Sequence, residues 1–568
     1  MKKYFGDLTV GSGAVLLTVL IFMAAFLGYP LVYVFKEAFW IEGEFTIRFF
    51  LGLFSSPYQM GCIINTFKVA FTATFLTILI SLPLAYFFSR YDFKGKQVLS
   101  MFLLVPLILP PFVGAIGLKQ VFSRFGSLNI LLDDIGLVPL ENSIDWLGGS
   151  GFWGVVIMQV LHLYPILYLN VAAVMANLDP TLREAAENLG STSRDVFLKV
   201  TLPLVTPGIF AGSTIVFISA FTDLGTPLIF NYRQMIPVQI FDKVSDAAVD
   251  PSGYALIILV LVLTALMFVV SKRLFGGKGN ATLSKGHVHF KEKPVTGFKG
   301  FLVYTFVIGV ITLSILPHLI VVLFSFSDKW FFTILPTEWT ASHYGEVFTL
   351  PLTMGSIHNS LLYSSLSAFV DLILGVSIAW LVTRKQFPGR DWLDALAMLP
   401  LALPGLVLAF GYVMSFNVDI PWLNPRDNPM LLLIVAYSVR RLPFIVRAAV
   451  AGFQQTSVTL EEASRNLGAG VLTTLRKITI PLVFANLIAG TILTFSFAML
   501  EVSDSLILAM TSDSYPITKA IYTLMGRVNP EAPAIASAMG VVGMLILGLC
   551  LFIATRLLGK KMGEMFRV

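Results

Sequence analysis

NTFKVAFTATFLTILISLPLAYFFSRYDFKGK, residues 65–96, aligns without a gap to NSLLYSSLSAFVDLILGVSIAWLVTRKQFPGR, residues 359–390, at an offset of 294. Asn65 meets Asn359, Arg90 meets Arg384, Phe93 meets Phe387 and Gly95 meets Gly389, and the same offset pairs Pro106 with Pro400, Pro110 with Pro404 and Gly117 with Gly411. Self-similarity on this scale is one unit written twice, so the chain is read in pairs. Further on the offset becomes 278, pairing Pro165 with Pro443, Gly190 with Gly468, Pro203 with Pro481, Gly212 with Gly490 and Phe217 with Phe495. The first copy therefore carries about sixteen extra residues, around FGSLNILLDDIGLVPLENSIDWLGGSG (125–151).

Both quoted stretches are apolar for longer than the roughly 18 residues that cross a hydrocarbon core of about 30 Å. The whole chain follows suit: of 568 residues 56% are hydrophobic and 13% charged, with a mean hydropathy of +0.82, against about 25% charged in soluble proteins. Twelve apolar runs are candidate spans, near 12–35, 60–89, 98–118, 152–178, 205–230, 253–272, 301–326, 357–383, 393–416, 430–452, 480–508 and 533–556. Runs of this length satisfy their own backbone in lipid only as helices, whereas barrel strands are shorter and alternate. The expected fold is an all-α polytopic membrane protein with about twelve spans in two parallel six-helix repeats, related by an axis along the membrane normal. The halves are residues 1–272 and 300–568; a Gly- and Lys-rich linker, 273–299, joins them.

The net charge of +6 is spread over span ends rather than gathered in a patch for nucleic acid. With alternating spans, Lys2 and Lys3, Arg90, Lys94 and Lys96, Arg183, Arg194 and Lys199, and Lys272, Arg273, Lys278 and Lys285 share one side. Arg384, Lys385 and Arg390, Arg465, Arg476 and Lys477, and Arg556, Lys560 and Lys561 join them. Positive-inside asymmetry then places both termini in the cytoplasm. The first run, behind a charged start, lacks a small-x-small cleavage site and reads as a retained span. Cys62 and Cys550 fall near opposite faces, which argues against a disulfide or a cysteine metal site.

Two polar stretches interrupt this apolar text at equivalent cytoplasmic places: EAAENLGSTSRDVFLKVTLP (184–203) and EASRNLGAGVLTTLRKITIP (462–481). Leu182, Ala185, Ala186 and Leu189 recur at helical spacing and Gly190 supplies a stop, predicting a short amphipathic helix, a turn and a second segment ending at Pro203. One such helix would suit the lipid headgroups; two matched copies suit docking onto two copies of a soluble partner.

The pattern Glu-Ala-Ala, three residues, Gly, nine residues, Ile, one residue, Leu-Pro resembles the cytoplasmic signature (EAA motif) of inner-membrane permeases of binding-protein-dependent ABC importers. Glu184, Ala185, Ala186, Gly190, Val200, Leu202 and Pro203 fall on its positions, as do Glu462, Ala463, Ser464, Gly468, Ile478, Ile480 and Pro481; Val200, Ser464 and Ile480 depart mildly. The fused two-module layout and the FGSLN…IDWLG wording resemble ferric-iron-type permeases. The resemblance implies coupling loops at 180–203 and 458–481, two copies of an ATP-binding subunit, one substrate-binding protein, and a bacterial inner-membrane location. It implies ATP and magnesium in the partner rather than in this chain. The chain's own Gly-Lys pairs agree: those at 95–96, 277–278 and 559–560 are followed by Gln97, Gly279 and Lys561, and none has the GxxxxGK[ST] spacing that cradles phosphates. HExxH, GxSxG and Cys-rich metal boxes are missing from the sequence, so an intramembrane enzyme is a poor reading.

Ionisable residues inside spans are expensive and are functional candidates by default. They are Lys68, His162, Asp223, Asp371, Arg440, Arg441, Arg447 and Glu501, with His162 and Arg440, and Asp223 and Glu501, at equivalent repeat positions that could face a central cavity. Lys68 and Arg447 lie near span ends and read as snorkelling; Arg440 and Arg441 read as partners of Asp371 or another acid. The set holds both signs, so it fixes no substrate: ferric iron comes from the resemblance, while phosphonate- and polyamine-type cargoes stay open. So does a gradient-driven secondary transporter, which may also have twelve spans in parallel halves, and a channel or scaffold.

Overall fold

The computed structural model describes residues 9–41, 43–244, 251–275 and 293–558. Most of the linker, and Lys2, Lys3, Lys278, Lys285, Lys560 and Lys561, lie outside these residues. The first half comprises α1 (Val10–Phe39), α2 (Arg48–Ser55), α3 (Pro57–Arg90), α4 (Lys96–Ile108), α5 (Pro111–Phe122), α6 (Ser127–Asp134), α7 (Phe152–Ala176), α8 (Pro180–Asn188), α9 (Ser193–Thr222), α10 (Gly225–Ile229), α11 (Ile236–Lys243) and α12 (Ser252–Phe275). The second comprises α13 (Gly297–Ser325), α14 (Ser342–Thr349), α15 (Pro351–Arg384), α16 (Arg390–Ala402), α17 (Gly405–Ser415), α18 (Met430–Gln455), α19 (Val458–Asn466), α20 (Val471–Met499), α21 (Ser503–Leu508), α22 (Ile517–Met525) and α23 (Ala532–Leu558).

Lipid is the solvent this fold answers to. On α3 the large apolar residues Ile64, Phe71, Phe75 and Leu79 point outward, while Thr66, Ala70, Ala73, Thr74, Thr77 and Ser81 are buried. On α15 Phe369 and Ile373 face out, and Ser360, Ser364, Ser367 and Asp371 face in. Small and hydroxyl residues let helices approach closely and bond across, which is how helices associate where the surroundings are as apolar as the core. In each half three long helices form this core: α3 with α7 and α9, and α15 with α18 and α20.

The halves are bound by exchange of their first helices. α1 packs on α17 and α15 of the second half, and α13 packs on α5 and α4 of the first. Glycine permits both approaches: a Cβ on Gly411 would lie 3.2 Å from Pro30, and one on its repeat mate Gly117 would run into the Pro317 carbonyl. Pro30 has no N–H for the carbonyl of Phe26, and Tyr412 donates to that carbonyl instead, at 2.5 Å. Tyr91–Asp92, at the end of α3, pair in parallel with Lys293–Pro294, just before α13. The second half thus begins on the side where α3 ends, as parallel repeats require.

Hydropathy misjudged direction in places. Among the described residues nine helices are long and apolar enough to cross a membrane. The runs at 98–118 and 393–416, each read as one span, are broken in two, with bends of 94° and 98°. The breaks fall at Pro110 and Pro404, both with extended backbone, because proline cannot donate to the turn before it and disfavours helix at the preceding residue. The run at 430–452 is one helix, α18, whose Arg440, Arg441 and Arg447 make it more polar than those nine. The runs at 205–230 and 480–508 end as helices at Thr222 and Met499 and restart as the short α10 and α21.

Candidate coupling surfaces and the buried charge network

The polar stretches form the short helix and the turn that their spacing predicts, but the second segment does not end at Pro203 or Pro481: it runs through each proline as α9 and α20. The Asp179 carboxylate accepts the Thr181 N–H at 2.9 Å, capping α8 and holding its carboxyl below the usual range. Ser457 accepts the Thr459 N–H at 3.3 Å and does the same for α19. Each helix is closed by a glycine in left-handed conformation, Gly190 at φ +85° and Gly468 at φ +88°. A Cβ at either would touch nothing, so the backbone angle and not the space asks for glycine.

The next segments each contain one wide turn, Phe197–Thr201 and Leu475–Thr479, in which Leu202 N–H and Ile480 N–H bond five residues back. Pro203 and Pro481 follow directly. Lacking an N–H and crowding the carbonyl four back, each proline favours a locally widened helix. The same arrangement stands in α1, at Ala24–Gly28 before Pro30.

The face these loops present is open. Leu189 is 87% exposed and Leu467 90%; Leu182 and Leu460, Glu184 and Glu462, and Ala185 and Ala463 are exposed beside them. Ala186 is half-buried, and its mate Ser464 is buried, bonding Thr474 at 2.9 Å. In the first half the Thr474 position is the buried Val196, so the departure from alanine is matched by its neighbour.

Arginines at the ends of α3 and α15 tie the loops to the spans. Arg384 pairs with Glu461 at 2.9 Å, both buried, and also donates to the carbonyls of Phe453 and Thr456. Arg90 lies 3.7 Å from Glu187, which Arg183 holds at 2.7 Å. Sequence reasoning had read both arginines only as positive-inside markers. Arg183 and Glu187 correspond to Glu461 and Arg465, so the carboxylate shifts by one helical turn and the pairing is hidden from position-by-position comparison.

Within the membrane the second half carries a network without a counterpart among the described residues of the first. Arg440 contacts Glu501 at 2.5 Å and Asp504 at 3.3 Å, and Arg441 pairs with the other Glu501 oxygen. The Arg440 guanidinium occupies the space a Cβ would need on Gly405, beside the α16–α17 break. Asp371 is not the arginines' hydrogen-bonding partner; it is fully buried and accepts from Ser438 at 2.6 Å. At the matching places in the first half Asp223 accepts from Gln159 at 2.6 Å and from Thr226 N–H at 3.1 Å. His162 holds the Pro106 carbonyl at 2.8 Å, the carbonyl that Pro110 leaves without a donor. His162 and Arg440 are thus committed within their own halves rather than free in a cavity. Lys68 is exposed, and Arg447, also exposed, pairs with Asp394 at 3.2 Å.

Asp223 and Glu501 also each accept a backbone N–H from the short helix that restarts after them, Glu501 from Asp504 at 3.4 Å.

A protein-family profile described as binding-protein-dependent transport system inner membrane component matches residues 78–275 and 371–564. The chain is 26% identical over 544 residues to a ferric transport system permease protein FbpB of Actinobacillus pleuropneumoniae, covering 94% of this chain and 76% of that one. It is 26% identical over 527 residues to a putative ferric transport system permease protein, FbpB 1, of Haemophilus influenzae, covering 90% and 80%. Among solved structures, one chain of a bacterial ABC transporter involved in import of the acidic polysaccharide alginate is 18% identical, with a TM-score of 0.39, covering 46% of this chain and 94% of that chain.

Proposed function

Because the chain belongs to the family of binding-protein-dependent transport system inner membrane components, we propose that it forms the translocation path of an ATP-driven importer whose cargo is ferric iron. It works with two copies of an ATP-binding subunit, one on each coupling loop, and with one binding protein on the opposite face, and both its termini are cytoplasmic. The observation that carries the division of labour is the matched pair of loops. Each ends in a glycine-closed turn bearing an exposed leucine, Leu189 or Leu467, beside an exposed glutamate, Glu184 or Glu462. Exposed apolar side chains on a short polar helix stand for an absent partner, and two equivalent surfaces stand for two copies of it.

The path runs between the halves, and the residues nearest it are Asp223 with Gln159, and Glu501 with Arg440 and Arg441. Asp371 and His162 support the spans around it. Iron rests on likeness along nearly the whole chain to permeases named for ferric transport. The test is uptake of radiolabelled ferric iron by cells lacking the chain, with and without it restored. Restored uptake is expected; iron uptake that is unchanged while a phosphonate or polyamine depends on the chain would move the cargo.

A further inference from the structure

We propose that Phe241 and Tyr522 close the outer end of the translocation path on the pseudo-twofold axis, with Lys519 sealing the seam between them; the proposal rests on the permease reading above. Thr66 and Ser360 share a repeat position. The Thr66 hydroxyl accepts the Ile236 N–H at 2.9 Å, and the Ser360 hydroxyl accepts the Ile517 N–H at 2.7 Å. Ile236 and Ile517, the first residues of α11 and α22, are therefore structural mates. Counting five residues on, IPVQIF and ITKAIY bring Phe241 opposite Tyr522.

These two rings meet edge to face, 6.0 Å between centroids and 90° between planes. A half-turn about an axis leaves in place only what lies on it, so a residue touching its own repeat mate sits half their separation from the axis. The Lys519 ammonium lies 5.6 Å from the Phe241 ring centroid and 5.5 Å from that of Tyr515, and donates to the Leu506 carbonyl at 2.7 Å. Its mate is Val238, so the seal is one-sided. A second contact also joins the halves: a Cβ on Gly225 would come within 2.8 Å of Val502, and Leu224, next to Gly225, is the mate of Val502. α11 and α22 follow the ends of α9 and α20 remote from the coupling loops, so both contacts lie toward the outer face. An aromatic contact and a cation over a ring part without breaking an ion pair, unlike the Arg440 network, which stays within one half.

The test uses the full transporter in membranes, with Cys62 and Cys550 replaced by alanine and a protease site placed in segment 276–292 so that the halves separate on a gel unless joined. In the F241C/Y522C variant a short bifunctional thiol reagent should join the halves without nucleotide. It should do so several-fold less after trapping with ATP and vanadate in the presence of the binding protein, and joining should abolish uptake that either single variant retains. Failure to join without nucleotide, or full uptake by the joined protein, would overturn the proposal. Joining indifferent to trapping would overturn the ATP-coupled reading instead. Independently, a membrane-impermeant thiol reagent should label V502C from outside several-fold faster when F241A is added, and equal rates would contradict the constriction.

Discussion

Arg90 and Arg384 occupy one repeat position, yet the structure gives them unequal tasks. Glu461 has Arg384 as its ion-pair partner and is buried, so Arg384→Ala strands a buried carboxylate, a loss of about 3–5 kcal/mol. Glu187 is one-third exposed and keeps Arg183, so Arg90→Ala strands no carboxylate; it removes a long ion pair and the contacts of a buried guanidinium with the Tyr86 and Tyr91 rings, about 1–2 kcal/mol. Thermal unfolding of the detergent-purified protein should therefore fall further for R384A than for R90A; equal shifts would refute the assignment. The arginines were legible in the sequence and their partners were not, because exchange of Arg183 and Glu187 for Glu461 and Arg465 moves the acid to another turn. Asp504, the network's fourth member, stayed unread because VSDS, residues 502–505, near the end of its apolar run reads as a polar flank.

Among the elements, α8 and α19 were legible down to the closing glycine, since apolar spacing, stop residue and following proline all point the same way. The left-handed angles at Gly190 and Gly468 cost a side-chain-bearing residue about 1–2 kcal/mol, too little to prevent membrane insertion but enough to misplace Leu189 or Leu467. Gly190→Val and Gly468→Val should each lower uptake and ATPase stimulation while the protein still reaches the membrane, and the double variant should lose both. Normal uptake in both single variants would remove the coupling role. The bent pairs α4–α5 and α16–α17 were not legible: a hydropathy window counts apolar residues and is blind to chain direction. Pro110 and Pro404 were noted as mates, but whether a proline kinks or breaks a span is settled by packing, here by His162 on the Pro106 carbonyl and Arg440 against Gly405.

On the scale of the molecule the duplication was read directly, and parallel halves follow from an even number of crossings between them. The exchange of α1 and α13 was not readable, because such contacts join residues hundreds of positions apart. That exchange makes the halves a mutually braced pair, with one of the two glycine-closed loops on each. The most direct measurement is uptake into vesicles reconstituted with this chain, with and without its partner ATPase, under ATP or under an imposed proton gradient. Uptake that requires both ATP and the ATPase is the expected result; gradient-driven uptake by this chain alone would contradict the account.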